Sequence, residues 1–246
     1  MKDYFSAQSK QYATFRPTYP DDLYQFIFTH LHTKSCAWDC ATGNGQVANY
    51  LSAHFERVYD TDISQQQLNN ALHKNNIIYT VSSAEKTSFA NDQFDLITVA
   101  QALHWFNVDE FYKEARRVAK NNSLLAVWGY GLCAVNQEVD KLFLDFYHNI
   151  VGPYWDNARK LVEAEYKDIP FPFKIISTPK FYIRVDWTFE QFTGYLSTWS
   201  ATQKYIGVNK INPVIAFEEK LAKLWSDVEK KTINFPIFLK LGVIEK

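Results

Sequence analysis

The chain has 246 residues, 47% of them hydrophobic, enough for one large domain with a sizeable core and too many for a disordered chain. Its 26 basic and 27 acidic residues leave a net charge of −1 without any block of like charge, which speaks against nucleic acid or an anionic membrane and for a small ligand. No apolar run approaches the length of a membrane span and Met1-Lys2-Asp3-Tyr4 does not open a secretory signal, so a cytoplasmic protein is expected.

Residues 1–19 are polar and aromatic without sustained periodicity and read as an arm. Pro20 suits a first helical turn, and Leu23, Phe26, Ile27, His30 and Leu31 then mark one buried helical face, with His30 a packed surface histidine. The stretch Ala37 to Gln46, A-W-D-C-A-T-G-N-G-Q, reads as a strand, a tight turn and a helix N-terminus. Gly43 and Gly45 serve a turn that needs positive φ or close approach to a ligand, and the free N–H groups of the following turn attract anionic groups. Val47, Tyr50 and Leu51 lie on that helix. Glu56 to Asp62 is a strand ending in an acid, and Ser64 and Gln67 are spaced as a capping box. Ile77 to Val81 and Phe94 to Ala100 are the third and fourth strands, the latter apolar enough to be covered on both faces. Val108, Phe111, Tyr112, Ala115, Val118 and Ala119 give a one-sided helix, and Leu124 to Trp128 a fifth strand. This alternation implies an open, mostly parallel, doubly wound sheet whose ligands bind beyond the carboxyl ends of the strands.

After Trp128 the alternation stops. Val139, Leu142, Phe143, Phe146 and Ile150 mark a helix, P-Y-W-D-N around Trp155 leads into a shorter one, and Lys174 to Trp187 returns to strand character. Thr188 and Gln191 have capping-box spacing. Asn212-Pro213 starts a helix carrying Val214, Phe217, Leu221, Leu224 and Val228, and Thr232 to Ile244 closes the chain as a strand that Pro236 weakens. Cys36, Cys40 and Cys133 fit no zinc spacing and read as buried small residues of a reducing compartment, and no metal site is expected. The whole is read as one domain, 1–246. Residues 1–19 form a lid arm, 34–130 the half that holds a cofactor, 131–172 and 188–230 a helical cap with substrate-side elements, and 173–187 and 232–244 the remaining strands.

Asp62 lies 19 residues after Gly43, at a strand's end, where a carboxylate can accept both hydroxyls of a ribose. That points to an adenosine-containing ligand. Dinucleotide oxidoreductases share this much with transferases using S-adenosylmethionine, since Gly43 to Ala48 also satisfies G-x-G-x-x-A.

Further motifs separate the two. The run S-S-A-E-K-T-S-F-A-N-D-Q-F-D-L-I-T-V-A-Q-A-L-H-W-F from Ser82 to Phe106 resembles the adenine-binding and post-strand-four motifs of class I S-adenosylmethionine-dependent methyltransferases, in the trans-aconitate methyltransferase-like (type 11) group. Y-x-x-x-R-P-x-Y-P from Tyr12 to Pro20, F-Y-K-E-A-R-R-V-A-K, L-A-V-W-G-Y from Leu125 to Tyr130 and Y-L-S-T-W-S-A-T-Q-K-Y from Tyr195 to Tyr205 are similar to the same group. The resemblance implies a seven-stranded Rossmann-like sheet with an inserted helical cap, S-adenosyl-L-methionine as cofactor and a small-molecule acceptor, with carboxylate O-methylation one option. Two departures stand out. Ala41 replaces the first glycine of D-x-G-x-G-x-G, acceptable if its φ is negative. Asn121-Asn122-Ser123 stands where P-G-G is common, and asparagine tolerates positive φ.

By position, the resemblance places Asp39 near the ligand's ammonium, Ala41, Gly43 and Gly45 along its amino-acid end, Asp62 and Ile63 at the ribose, Ser83, Ala84 and Glu85 around the adenine, and Gln101 beside the methionine portion. Tyr12 and Arg16 would reach the site from the arm, with Arg16 facing a carboxylate of cofactor or acceptor. His104 is the candidate base or substrate-positioning group. Trp128, Tyr130, Trp155 and Trp199 are candidate walls of the acceptor pocket. A nicotinamide-dependent oxidoreductase and a non-catalytic cofactor-binding protein are the alternatives.

Overall fold

A computed structural model describes residues 15–226 and 229–246. The expected strands form as β1 (Cys36–Cys40), β2 (Arg57–Asp62), β3 (Ile77–Val81), β4 (Phe94–Ala100) and β5 (Ala119–Tyr130). The helices between them are α1 (Asp21–Phe28) before β1, then α2 (Gln46–Leu51), α3 (Gln65–Asn69) and α4 (Val108–Val118). Beyond β5 lie α5 (Gln137–Asp145), α6 (Arg159–Glu163), β6 (Lys174–Ile176), β7 (Phe181–Trp187), α7 (Phe189–Ser197), α8 (Ser200–Asn209), α9 (Pro213–Leu221) and β8 (Lys231–Ile244).

Among the described residues the sheet has eight strands, in the order β3-β2-β1-β4-β5-β8-β6, with β7 also on β8. Strands β1 to β5 pair in parallel, and β8 runs antiparallel to β5, β6 and β7. The sheet nonetheless has seven lanes, because β7 pairs with Lys231–Ile237 and β6 with Leu241–Val243 of the same long strand. The stretch read as one strand from Lys174 to Trp187 is thus broken at residues 177–180, where Pro179 has no N–H to continue a ladder. Pro236 itself is accommodated. Its carbonyl accepts from Gly131 N, and an extended residue's N and O point to one side, so its missing donor falls just past the last β5 pair, Tyr130 with Ile237.

The chain steps from β1 to β2 to β3 and then returns to β1's other side as β4, which opens a crevice beyond the carboxyl ends of β1 and β4. Two core layers flank the sheet. One packs Ala37, Leu96, Ala126 and Trp128 against α1, α2 and the later helices, and the other packs Trp38, Ile97, Leu125 and Val127 against α4 and residues 162–173.

Local details refine the sequence reading. Pro20 is the N-cap of α1, not its first residue, and the buried face is Leu23, Tyr24, Ile27 and Phe28, while His30 lies past the helix end with Nδ1 3.0 Å from the Phe26 carbonyl. Thr188 and Gln191 form the full capping box. At α3 only half of it forms: Ser64 Oγ accepts from Gln67 N, but the Ser64 N–H goes to Asp62 Oδ1. Helix α9 stops at Leu221, and Val228 lies outside the described residues. Asn122 adopts φ 60°, as asparagine in that turn should. No described helix is long and apolar enough to cross a membrane.

Candidate active site

Leaving β1, the backbone enters the left-handed region at Ala41 (φ 56°), Gly43 (φ 59°) and Gly45 (φ 80°) before α2 begins. The condition set for alanine, a negative φ, is therefore not met: Ala41 holds a conformation that costs a residue with a Cβ about 1–2 kcal/mol. The two glycines do different work. A Cβ on Gly45 would sit 2.6 Å from the Tyr79 hydroxyl, so this glycine lets α2 close onto β3, whereas a Cβ on Gly43 would meet nothing within 4 Å and project into open space. The turn is tied to β2 by Thr42 N to the Thr61 carbonyl at 3.0 Å and by Gly43 N to Asp62 Oδ2 at 2.9 Å. Asp62 Oδ1 accepts from Ser64 N at 2.8 Å, so one carboxylate fixes both loops, and an ionised carboxylate can accept more donors than these two.

Asp39 and Asp60 sit opposite each other on β1 and β2, both buried. Asp39 accepts from Thr42 Oγ1 at 2.6 Å and Thr98 Oγ1 at 2.7 Å, yet burial pushes its carboxyl up to about 6. Asp60 has no hydrogen-bond partner for either oxygen among the described residues, and burial beside Asp39 pushes its carboxyl well above its ordinary value, favouring the neutral form.

Above these residues opens a cleft of about 1280 Å³, counted to its open mouth. Of the residues the sequence nominated, Arg16, Asp39, Ala41, Gly43, Asp62, Ile63, Ala84, Gln101 and Tyr130 line it. Gly45 does not, for the packing reason above. Ser83 does not either: it is tied into a bridge with Lys86, and Ser82 takes its place on the wall. Glu85 turns away, accepting the Asn107 N–H at 2.9 Å ahead of α4. Thr42, Gln46, Ser64, Gln67, Trp105 and Phe106 also face the cleft. Their nearness in sequence to Gly43, Asp62 and His104 was the available signal. Gln101, at φ 54°, is the second non-glycine left-handed residue on the wall after Ala41, and its Oε1 is buried without a partner while Nε2 donates to the Tyr130 carbonyl at 3.1 Å.

Tyr12 and most of the arm lie outside the described residues. The arm's last residues rest on the cleft: Gln46 Nε2 donates to the Pro17 carbonyl at 3.1 Å, and the Tyr19 ring meets Trp128 edge-on at 5.6 Å. Arg16 Nη1 donates to the Tyr130 hydroxyl at 2.9 Å and Nη2 to the Thr198 carbonyl at 3.4 Å, with the guanidinium 5.3 Å from the Tyr195 ring centre.

Arg16, Gln101 and Trp105 form a shared wall with a smaller pocket of about 630 Å³, completed by His104, Trp155, Asp156, Arg159, Tyr195, Trp199 and Ser200. Trp155 and Trp199, two of the four aromatic candidates, both line this smaller pocket, their rings 5.4 Å apart. Trp128 does not: it is fully buried between Tyr19 and Tyr24 and belongs to the core, because the even-numbered side of β5 faces the α1 layer. Sequence reasoning missed Arg159 and Tyr195, which carry no local signal. Arg159 Nε donates to the Tyr147 hydroxyl at 2.9 Å, and its two Nη groups have no acceptor among the described residues. Asp156 is paired with Lys204 at 2.6 Å, and Trp155 Nε1 is buried without an acceptor. His104 Nδ1 lies 2.8 Å from the Tyr166 hydroxyl. Burial, with the Arg159 charge nearby, pushes the imidazole down to about 3, so it is neutral at physiological pH and too weak a base to draw a proton from a hydroxyl or carbon acid.

Residues 38–127 match the methyltransferase domain family. A protein of Dictyostelium discoideum, provisionally named a methyltransferase, is 36% identical over 253 residues, covering 98% of this chain and 94% of its own. A methyltransferase of Aspergillus candidus is 27% identical over 209 residues, 74% of this chain and 64% of its own. A solved structure from Anaeromyxobacter dehalogenans, provisionally described as a type II methyltransferase, superposes with a TM-score of 0.87 at 33% identity, over 94% of this chain and 99% of that one.

Proposed function

The chain belongs to the class I S-adenosylmethionine-dependent methyltransferases, and from that premise we propose that it methylates a carboxylate of a small organic acceptor. The narrower likeness to the trans-aconitate group rests on the chain's own motifs, and family membership leaves the nicotinamide alternative without support.

The larger cleft suits the cofactor. The space that a Cβ on Gly43 would fill lets a ligand approach the backbone, and Gln101 Oε1 is a buried acceptor awaiting a donor. Asp39 is the group we assign to the ammonium, since a cation there would offset the burial that now disfavours its ionised form. Asp62, on the cleft wall at the end of β2, is the carboxylate we assign to the ribose hydroxyls. Ile63 and Ala84 offer apolar surface to the adenine, and Arg16 with Tyr19 covers the mouth. When bound, S-adenosylmethionine supplies an electrophilic methyl on a sulfonium, which a carboxylate oxygen takes as the C–S bond breaks to a neutral thioether, with no proton to move.

The acceptor reading rests on the donor excess of the smaller pocket. Arg16 and Arg159 face it, the unpartnered Trp155 N–H and the His104 ring join them, and Asp156, the one carboxylate lining it among the described residues, is paired with Lys204. An anionic group fits such a set, and a guanidinium's planar fork matches a carboxylate in two parallel hydrogen bonds. Without a competent base nearby, a carboxylate acceptor is also the chemistry the pocket can support, because the chain need only align the oxygen and exclude water. The test is transfer of labelled methyl from S-adenosylmethionine across matched panels of carboxylates, amines and phenols. Turnover confined to amines or phenols would overturn the acceptor class, and cofactor binding without any turnover would favour a non-catalytic binding protein. With a productive acid in hand, Arg159→Met should raise acceptor KM about tenfold or more at little cost to S-adenosylhomocysteine affinity.

A further inference from the structure

His104 meets a buried tyrosine whose hydroxyl has no other hydrogen-bond acceptor among the described residues. Tyr166 is fully buried and sits at φ 55°, in the turn after α6. Three ties hold that turn: Tyr166 N donates to the Leu161 carbonyl at 2.8 Å, and Lys240 Nζ donates to the carbonyls of Tyr166 and, at 2.9 Å, Ile169. The ring packs edge-on against Phe238 at 5.0 Å. Its hydroxyl reaches the short 3-10 turn Leu103–Trp105 that follows β4, where the first N–H groups have no backbone acceptor.

A hydroxyl has two lone pairs and one proton. Tyr166 is fully buried and its hydroxyl has no other acceptor among the described residues, so the O–H is the donor in the 2.8 Å contact to His104 Nδ1. Nδ1 is then an acceptor, and the neutral ring carries its proton on Nε2.

We propose that Tyr166 is a positioning residue that locks His104 as the Nε2–H tautomer, making the imidazole a fixed neutral hydrogen-bond donor to the acceptor and not a base. This rests on the pocket's being the acceptor site. The Nε2–H would hold one carboxylate oxygen, leaving the other to be methylated. A protonated ring would turn an Nδ1–H toward that hydroxyl and leave its buried O–H without an acceptor, so the same contact that sets the tautomer also opposes the imidazolium. The burial and the Arg159 charge already noted act in the same direction, and Asp156, engaged by Lys204, is the opposing charge. Arg16 across the pocket adds a second positive charge.

The experiment reads the tautomer itself. Long-range proton–nitrogen correlation spectra of the full chain labelled with 15N-histidine, with His104 assigned by the signal that vanishes in His104→Gln, should show a bare Nδ1 and a protonated Nε2. That pattern should persist down to about pH 4.5, where an ordinary histidine is charged. A protonated Nδ1 in the free protein, or a ring that titrates near its ordinary value, would overturn the proposal. The wild-type spectrum alone decides between these outcomes should Tyr166→Phe fail to fold. In a folded Tyr166→Phe, shown by retained S-adenosylhomocysteine affinity, His104 should become a tautomer mixture titrating closer to neutrality, and acceptor KM should rise several-fold while kcat changes less. An unchanged His104 spectrum in that variant would remove Tyr166 from the role. Because the spectrum needs no acceptor, failure to find a carboxylate substrate would leave the tautomer result standing and count only against the acceptor class.

Discussion

The larger cleft, which we assign to the cofactor, and the smaller pocket, which we assign to the acceptor, share Arg16, Gln101 and Trp105, but they are built by opposite means. The cleft is a set of strand ends: residues 39–47 after β1, 62–67 around the end of β2, 82–84 after β3 and 100–106 after β4, with backbone amides and one carboxylate tying neighbouring loops together. The pocket is assembled from side chains on four separate segments, at residues 16, 101–105, 155–159 and 195–200, joined by hydrogen bonds over long sequence distances. A site made of backbone needs particular residues at fixed short spacings. A site made of side chains needs only that a whole fold bring them together, and each of its members can be changed with little effect on the backbone around it.

That difference predicts where substitutions hurt most. Gly43→Val should abolish S-adenosylhomocysteine binding, because a β-branched residue at φ 59° is strained and its side chain would enter the cleft. Calorimetric titration checks this, and near-normal affinity would mean that the cleft is not the cofactor site. Asp62→Ala should follow, weakening binding at least about tenfold, since hydrogen bonds to an ionised acceptor are worth about 1.5–3 kcal/mol each. The variant also frees the Gly43 and Ser64 N–H groups, so its loss should exceed that of any single substitution in the acceptor pocket. Equal losses from Asp62→Ala and Arg159→Met in the same titration would erase the distinction between the two regions.

The same contrast explains what the sequence made legible. Strands β1 to β4 and the Gly43–Asp62 spacing could be read because apolar runs and turn residues act over a few positions, and Gly43, Asp62 and Ala84 all line the cleft. Errors came where one position decides a direction. Ser82 faces in and Ser83 does not, Glu85 caps the Asn107 turn, and Trp128 falls on the core side of β5 by strand parity alone. Arg159 and Tyr166 were invisible because what makes them part of the pocket is their meeting with Gln101 and His104, more than 50 positions away. Aromatic richness pointed at a pocket, but it could not separate Trp155 and Trp199 from Trp128.

Asp39 offers a test tied to pH. Its folded pKa is raised above the unfolded value, so the folded state binds more protons between about pH 4 and 6 and stability must fall as pH rises through that window. Above it the penalty is complete and constant. Asp39→Asn should flatten this limb of the apoprotein's melting profile and leave the melting temperature at pH 7 no lower than in the parent, while S-adenosylhomocysteine binding weakens. A stabilising change that harms binding is what a carboxylate kept for a cation predicts. Thermal unfolding at pH 4.5 and 7 decides it. A lower melting temperature at pH 7 would show that the Thr42 and Thr98 hydrogen bonds outweigh the burial cost.

The smallest effect concerns the two left-handed wall residues, one from each region. Ala41→Gly removes about 1–2 kcal/mol of left-handed strain and adds about 0.4–1 kcal/mol of unfolded-chain entropy, so a net gain of about 0.5–1 kcal/mol is expected. For a chain of this size that raises the melting temperature by about 1–4 °C. Cofactor affinity should hold or improve, since the backbone is what the turn presents there. Gln101→Gly relieves the same kind of strain at φ 54° but gives up the 3.1 Å bond from Nε2 to the Tyr130 carbonyl and part of the wall between cleft and pocket. It should therefore gain no stability and should lose acceptor affinity. Matched calorimetry on the two variants isolates what a side chain contributes at one turn and not at the other, and equal stabilisation by both would mean that Gln101 serves the pocket by its backbone alone.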